Sequence, residues 1–211
     1  MANTRDVMGD QACLEAIVSG TLTSLVDDEV YSVAPSALQY MSHLEHVSLP
    51  NCESVGEWAF TDCPRLTTAL LPECKTLNTY AFYNDAALAT ISLQKCEIVY
   101  SHALEGTALT EATLPECTSV GGYAFRSCQN LATATLPKCA HIGPGAFQSC
   151  GELTSVIIGA SSVCHVDTGS YPLPTQFDEG GAGTVYVPAD LVASYKADAL
   201  WKDYNIAAIE G

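Results

Sequence analysis

Ten cysteines and five histidines are the residues of this 211-residue chain most able to do chemistry, and their spacing decides which chemistry is open. Cys52, Cys74, Cys96, Cys117 and Cys139 recur every 22 residues with one step of 21, while Cys63, Cys128 and Cys150 sit half a period away. A chain coiling with that period puts cysteines eleven apart on opposite sides of one coil, too far to share a metal. Those a full period apart stack on successive coils. Stacked strands lie about 4.8 Å apart, within disulfide range, but side chains in register point the same way instead of converging, and a column of five leaves one unpaired. No C-x-x-C pair or Cys/His cluster is present. Free, buried thiols acting as small hydrophobes are therefore the reading, ahead of disulfides and of metal. Cys13 and Cys164 fall outside both columns and are expected to be the exposed thiols.

The other reactive types assemble no signature. His46, His102 and His141 occupy three different repeat positions, so a ring of metal ligands is not expected and they read as surface residues. The "GGAGT" at 180–184 lacks the Lys-Ser/Thr of a phosphate loop, and there is no G-x-S-x-G or H-E-x-x-H. The expectation is no catalytic residue, no cofactor and no metal.

The elements that must carry these columns are visible in the leucines. Leu22, Leu44, Leu66, Leu88, Leu109, Leu131 and Leu153 mark seven coils, five of which open as L-x-x-[VAI]-x-L-x-x-C, the leucine-rich-repeat signature, with a short strand sending alternate side chains inward. The second half of each coil, as in "VGEWAFTDC" and "IGPGAFQSC", adds a turn and an Ala-Phe pair that plugs the interior from the opposite wall. Phe60, Phe82, Leu104, Phe125 and Phe147 should form one stacked column. The coil that opens at Leu88 is one residue short, with Gln94 for Pro and Leu104 for Phe, so irregularity is expected there.

The fold class is thus an α/β solenoid of about seven 22-residue coils, a parallel sheet on one side and short turns or helical segments on the other, capped at both ends. Residues 1–21 read as an N-terminal cap, Asp10 starting a helix over 11–19 whose Leu14, Ile17 and Val18 cover the core. Residues 22–158 form the solenoid. Residues 159–211 hold an irregular loop and a C-terminal cap, in which Pro188 ends a strand. One or two short helices over 189–204 then present Leu191, Val192, Tyr195, Leu200, Trp201 and Tyr204.

The formal charge of −16 repels phosphate backbones and anionic headgroups, which sets nucleic acid and membrane surfaces aside as partners. No stretch approaches the ~18 apolar residues of a membrane span. The start "MANTRDVMGDQACLEAIVSG" lacks the pattern of a secretory leader.

Three outward rows remain. Strand positions such as Thr68, Thr90, Thr133 and Thr135 give a Thr/Ser sheet face that suits strands and solubility. Charges alternate in sign between coils at Glu73, Lys95, Glu116 and Lys138, and at Glu53, Lys75 and Glu97, pairing that helps hold coil register. Trp58, Tyr80, His102 and Tyr123, two positions before the Phe column, form a row that shields the turn or stacks sugar rings and apolar partner surface. This row and the loop 165–183 are the candidate binding surfaces.

"LPECTSVGGYAFRSC" and "LPKCAHIGPGAFQSC" resemble the BspA-type leucine-rich-repeat proteins over about residues 22–158. "VYVPADLVASYKADALWKDY" resembles the segment that often closes such arrays, in versions encoded by gut Firmicutes and their prophages. The resemblance implies non-catalytic binding of a protein or glycan ligand. With no leader seen, it points to a virion-associated or cytoplasmic host-recognition or structural module, with a secreted or cell-surface adhesin as the alternative.

Overall fold

A computed structural model describes residues 19–167, 173–174, 177 and 182–210. The expected cap helix, apart from Ser19, and with it Asp10 and Cys13, lies outside them, as does most of loop 165–183.

Two parallel ladders run the length of the molecule. The first face carries β1 (Ser24–Val26), β3 (His46–Ser48), β5 (Thr68–Leu70), β7 (Thr90–Ser92), β9 (Glu111–Thr113), β11 (Thr133–Leu136), β13 (Ser155–Ile158) and β15 (Thr184–Val187). The second carries two-residue strands: β2 (Ser32–Val33), β4 (Ser54–Val55), β6 (Thr76–Leu77), β8 (Ile98–Val99), β10 (Ser119–Val120), β12 (His141–Ile142) and β14 (His165–Val166). Strands pair one coil apart in strict register, Val47 on Ala69 and Val55 on Leu77 for example, so each repeat position becomes a column. Both ladders continue past residue 158, and β15 adds an eighth turn to the seven marked by leucines.

The back of each coil is turn rather than helix, because its amides are shared between coils. Trp58, Phe60 and Asp62 donate N–H to the carbonyls of Thr79, Ala81 and Tyr83 on the next coil, while Ala59 and Thr61 close turns onto Gly56 and Trp58. Every second amide thus zips one coil to its neighbour, and a helix would withdraw all of them.

The core is a set of like-on-like columns. The repeat leucines Leu44, Leu66, Leu88, Leu109, Leu131 and Leu153 are fully or almost fully buried, as are Phe60, Phe82, Leu104, Phe125 and Phe147. Phe60 stacks on Phe82 at 4.9 Å and Phe125 on Phe147 at 5.1 Å, with Leu104 between the two pairs.

The short coil leaves its mark. The first-face ladder divides into a sheet of β1, β3, β5 and β7 and a sheet of β9, β11, β13, β15 and β16 (Ile206–Ala208), whereas the second ladder passes through unbroken. Cys63, Asp85, Cys128 and Cys150 stand three residues before the next core leucine, but Thr107 stands only two before Leu109. The missing residue is therefore in the lead-in to β9, which lets Ile98 pair with Ser119 but loses the pairing of β7 with β9.

The C-terminal cap begins as expected, with β15 ending before Pro188, a 3-10 turn at Ala189–Leu191 and helix α1 (Val192–Ala197). Tyr195, Trp201 and Tyr204 are buried, Leu191 and Val192 pack against the core, and Leu200, expected on the same face, is instead exposed. The chain then returns as β16, parallel to β15, so a strand rather than a helix covers the sheet edge.

Candidate functional site

The nine described cysteines are all buried. In the first column each thiol donates to the carbonyl two residues on, Cys52 to Ser54 at 3.3 Å and Cys139 to His141 at 3.2 Å, which satisfies a carbonyl at the strand start. In the second column Cys63, Cys128 and Cys150 donate to Leu38, Leu104 and Phe125 on the preceding coil. Burial pushes the thiols of Cys63, Cys74 and Cys117 up to about 12, far from the thiolate that nucleophilic or redox chemistry needs.

Cys164 corrects the expectation of an exposed thiol: it is buried, at the end of the first column beside Cys139. The cap is the reason. Tyr195 Oη accepts the Cys164 N–H at 2.8 Å, and Trp201 Nε1 donates to the Cys164 carbonyl at 2.7 Å, clamping both backbone groups under two buried aromatics.

The row singled out from sequence is a continuous stack. Trp58 and Tyr80 lie 3.9 Å apart and 14° from parallel, Tyr80 and His102 4.6 Å and 11°, and His102 and Tyr123 5.2 Å and 21°. The faces of Tyr80 and His102 are therefore occupied by neighbouring rings. At the far end Tyr123 meets Gly145, where an added Cβ would come within 2.5 Å of the ring. At the near end the same row position holds Ser36, too small to cover the outer face of Trp58 with a ring. Face-on stacking of a sugar is thus limited to Trp58, and the other rings offer edges.

All four residues have left-handed backbone, with φ between 59° and 60°. Each such residue costs ~1 kcal/mol or more without glycine, and the repeat sustains that cost because cross-coil hydrogen bonds fix the turn.

Three residues beside the ladder were not singled out from sequence. Tyr83, Glu105 and Arg126 each follow a ladder residue by three positions. Tyr83 meets Tyr80 edge-on at 5.3 Å, and the Arg126 guanidinium lies 5.4 Å from the Tyr123 ring centre. Glu105, buried, receives His102 Nδ1 at 2.5 Å and Arg126 at 2.7 Å, one partner on each oxygen. The signal was there in the position immediately after the Phe column, which reads Thr61, Tyr83, Glu105, Arg126, Gln148. Its chemistry changes from coil to coil as a partner-specific row would, but sequence spacing does not say that it touches the ladder.

The expected charge pairs form at the surface: Lys75 to Glu53 at 2.9 Å, Lys95 to Glu73 at 2.6 Å and Lys138 to Glu116 at 2.5 Å. All are exposed, so each adds little beyond register. Among the described residues no helix is long and apolar enough to cross a membrane.

These columns are those of a known repeat. The sequence profile described as BspA type Leucine rich repeat region matches six copies over residues 19–132 and 97–172. Comparison with curated proteins returns no match. Among solved structures the chain is similar to a leucine-rich repeat protein from Bacteroides ovatus (TM-score 0.59, 17% identity, 89% of this chain and 66% of that one). It is also similar to the pneumococcal vaccine antigen PcpA (TM-score 0.58, 15% identity, 90% and 42%). The chain spans about two thirds of the first and under half of the second, and at these identities the likeness is one of fold. Six copies of the repeat over most of the chain place it in the BspA-type leucine-rich-repeat family.

Proposed function

We propose that the chain is a non-catalytic recognition module that holds a protein or glycan partner along the Trp58–Tyr80–His102–Tyr123 ladder, with Tyr83 and Arg126 at its side. The supporting observation is the ladder itself: aromatic edges and one terminal face held on a rigid frame, beside a row whose chemistry varies from coil to coil. Large amphipathic rings with little rotamer freedom, next to an arginine, are the residues that dominate recognition surfaces. Membership of a binding, adhesin-like repeat family agrees with this role. A glycan array probed with the wild-type chain and with Trp58→Ala tests it. Binding that disappears in the folded variant is expected for a glycan ligand; equal binding by both chains places the contact away from the ladder.

The setting we propose is a virion or prophage product used in host recognition, with an envelope adhesin as the competing one. Quantitative mass spectrometry of particle, envelope and cytosol fractions, with prophage induced and uninduced, separates them: enrichment in particles supports the first and enrichment in the envelope the second.

A further inference from the structure

Sequence spacing puts His141 in no ring of ligands and leaves His165 at the start of the loop 165–183. The fold instead pairs them directly, His141 on β12 with His165 on β14, their rings stacked at 5.7 Å. Asp167, two residues beyond His165 and so on the same side of the strand, completes the cluster: its Oδ1 lies 3.1 Å from His141 Nε2 and 3.6 Å from His165 Nε2. All three donor atoms lie within 4.8 Å of one another.

We propose that His141, His165 and Asp167 bind a divalent transition metal ion of the zinc type. Donor chemistry and geometry agree. Two imidazole nitrogens and a carboxylate oxygen are a common set for such ions, and bonds of about 2.0–2.2 Å in a tetrahedron put donors about 3.4 Å apart, between the two distances found. A second contact supports the site: Ser119 Oγ lies 3.3 Å from His141 Nδ1, one coil back in the same column, placed to accept the Nδ1 proton when Nε2 takes the metal. His165 is mostly exposed, so the site opens to solvent, and three protein donors leave the fourth position for water or a group on a partner. The ion would join the last two second-face strands, β12 and β14.

The test is titration of the full chain with Zn2+ by calorimetry and with Co2+ by absorption, under a non-thiol reductant, for wild type, Ser119→Ala, His165→Ala and Asp167→Asn. Expected are one equivalent of metal, a cobalt spectrum without a thiolate charge-transfer band, and a melting temperature that rises with Zn2+. Affinity should fall about tenfold in Ser119→Ala and further in His165→Ala and Asp167→Asn. His165→Ala alters an exposed side chain, so retained circular dichroism separates loss of ligand from loss of fold. Absence of binding, binding unchanged in His165→Ala, or a thiolate band would each overturn the assignment, the last by moving the ion to cysteine.

Discussion

The Cys63 backbone N–H donates to Asp85 Oδ1 at 2.7 Å from one coil to the next, while Asp85 Oδ2, fully buried, has no hydrogen-bond partner among the described residues. Asp85 occupies the column held elsewhere by cysteine and Thr107. It therefore puts an acid where the repeat asks for a small, weakly polar group, and desolvation holds its carboxyl well above the usual carboxylate range.

Because the folded chain binds this proton more tightly than the unfolded one, the Asp85 contribution is fully present below the ordinary carboxylate range and is lost as pH rises toward the folded value. Asp85→Asn keeps an acceptor for Cys63, and Asp85→Cys restores the repeat residue. Both should be more stable than wild type at neutral to alkaline pH, by about 1–3 kcal/mol, and should flatten the dependence of stability on pH. Urea unfolding at several pH values measures this, and equal slopes for wild type and variants would refute it.

The ladder makes an inverted demand on glycine. Tyr80→Ala and Tyr80→Gly both lose the stacks on Trp58 and His102, but alanine must still sit at φ 60°. Glycine ordinarily destabilises relative to alanine. Here Tyr80→Gly should be the more stable of the two, by about 1 kcal/mol, in paired denaturant melts.

The two cysteine columns should resist alkylation. Iodoacetamide at neutral pH, followed by peptide mass spectrometry, should leave the nine described cysteines unmodified in the native chain and modify all of them in guanidinium. Rapid native labelling of Cys164 would show that the Tyr195–Trp201 clamp opens in solution.

That clamp also carries stability. Trp201→Ala removes a buried ring and the bond to the Cys164 carbonyl and should cost about 3–5 kcal/mol. Tyr195→Phe strands only the Cys164 N–H and should cost about 1–3 kcal/mol. Thermal melts of the two variants should keep that order.

Restoring the missing residue of the coil that opens at Leu88, by inserting one between Ala108 and Leu109, should let β7 and β9 pair and fuse the divided first-face sheet. Amide exchange at Thr110 should slow by at least about tenfold, since Ala89 and Ala132 occupy the equivalent position and donate across coils to Thr67 and Thr110. Unchanged exchange would place the division elsewhere.

The period alone determined the coil, the inward columns, the burial of the eight columnar cysteines and the weak point in the coil that opens at Leu88. In a solenoid, contacts between positions one period apart are local consequences of the repeat, so sequence spacing is itself a distance. Tertiary structure decided what breaks the period. Cys164 and His165 come 25 and 24 residues after Cys139 and His141 instead of 22, and only the path of the last coil, closed by Tyr195 and Trp201, brings them into the columns. It also decided how side chains sharing a column face one another: aromatics at a regular interval read as open faces, but strand spacing and left-handed backbone turn them into a stack with one face left over. Spacing along the chain says which residues are neighbours; the direction of each Cβ, set by backbone torsions, says what the neighbours do.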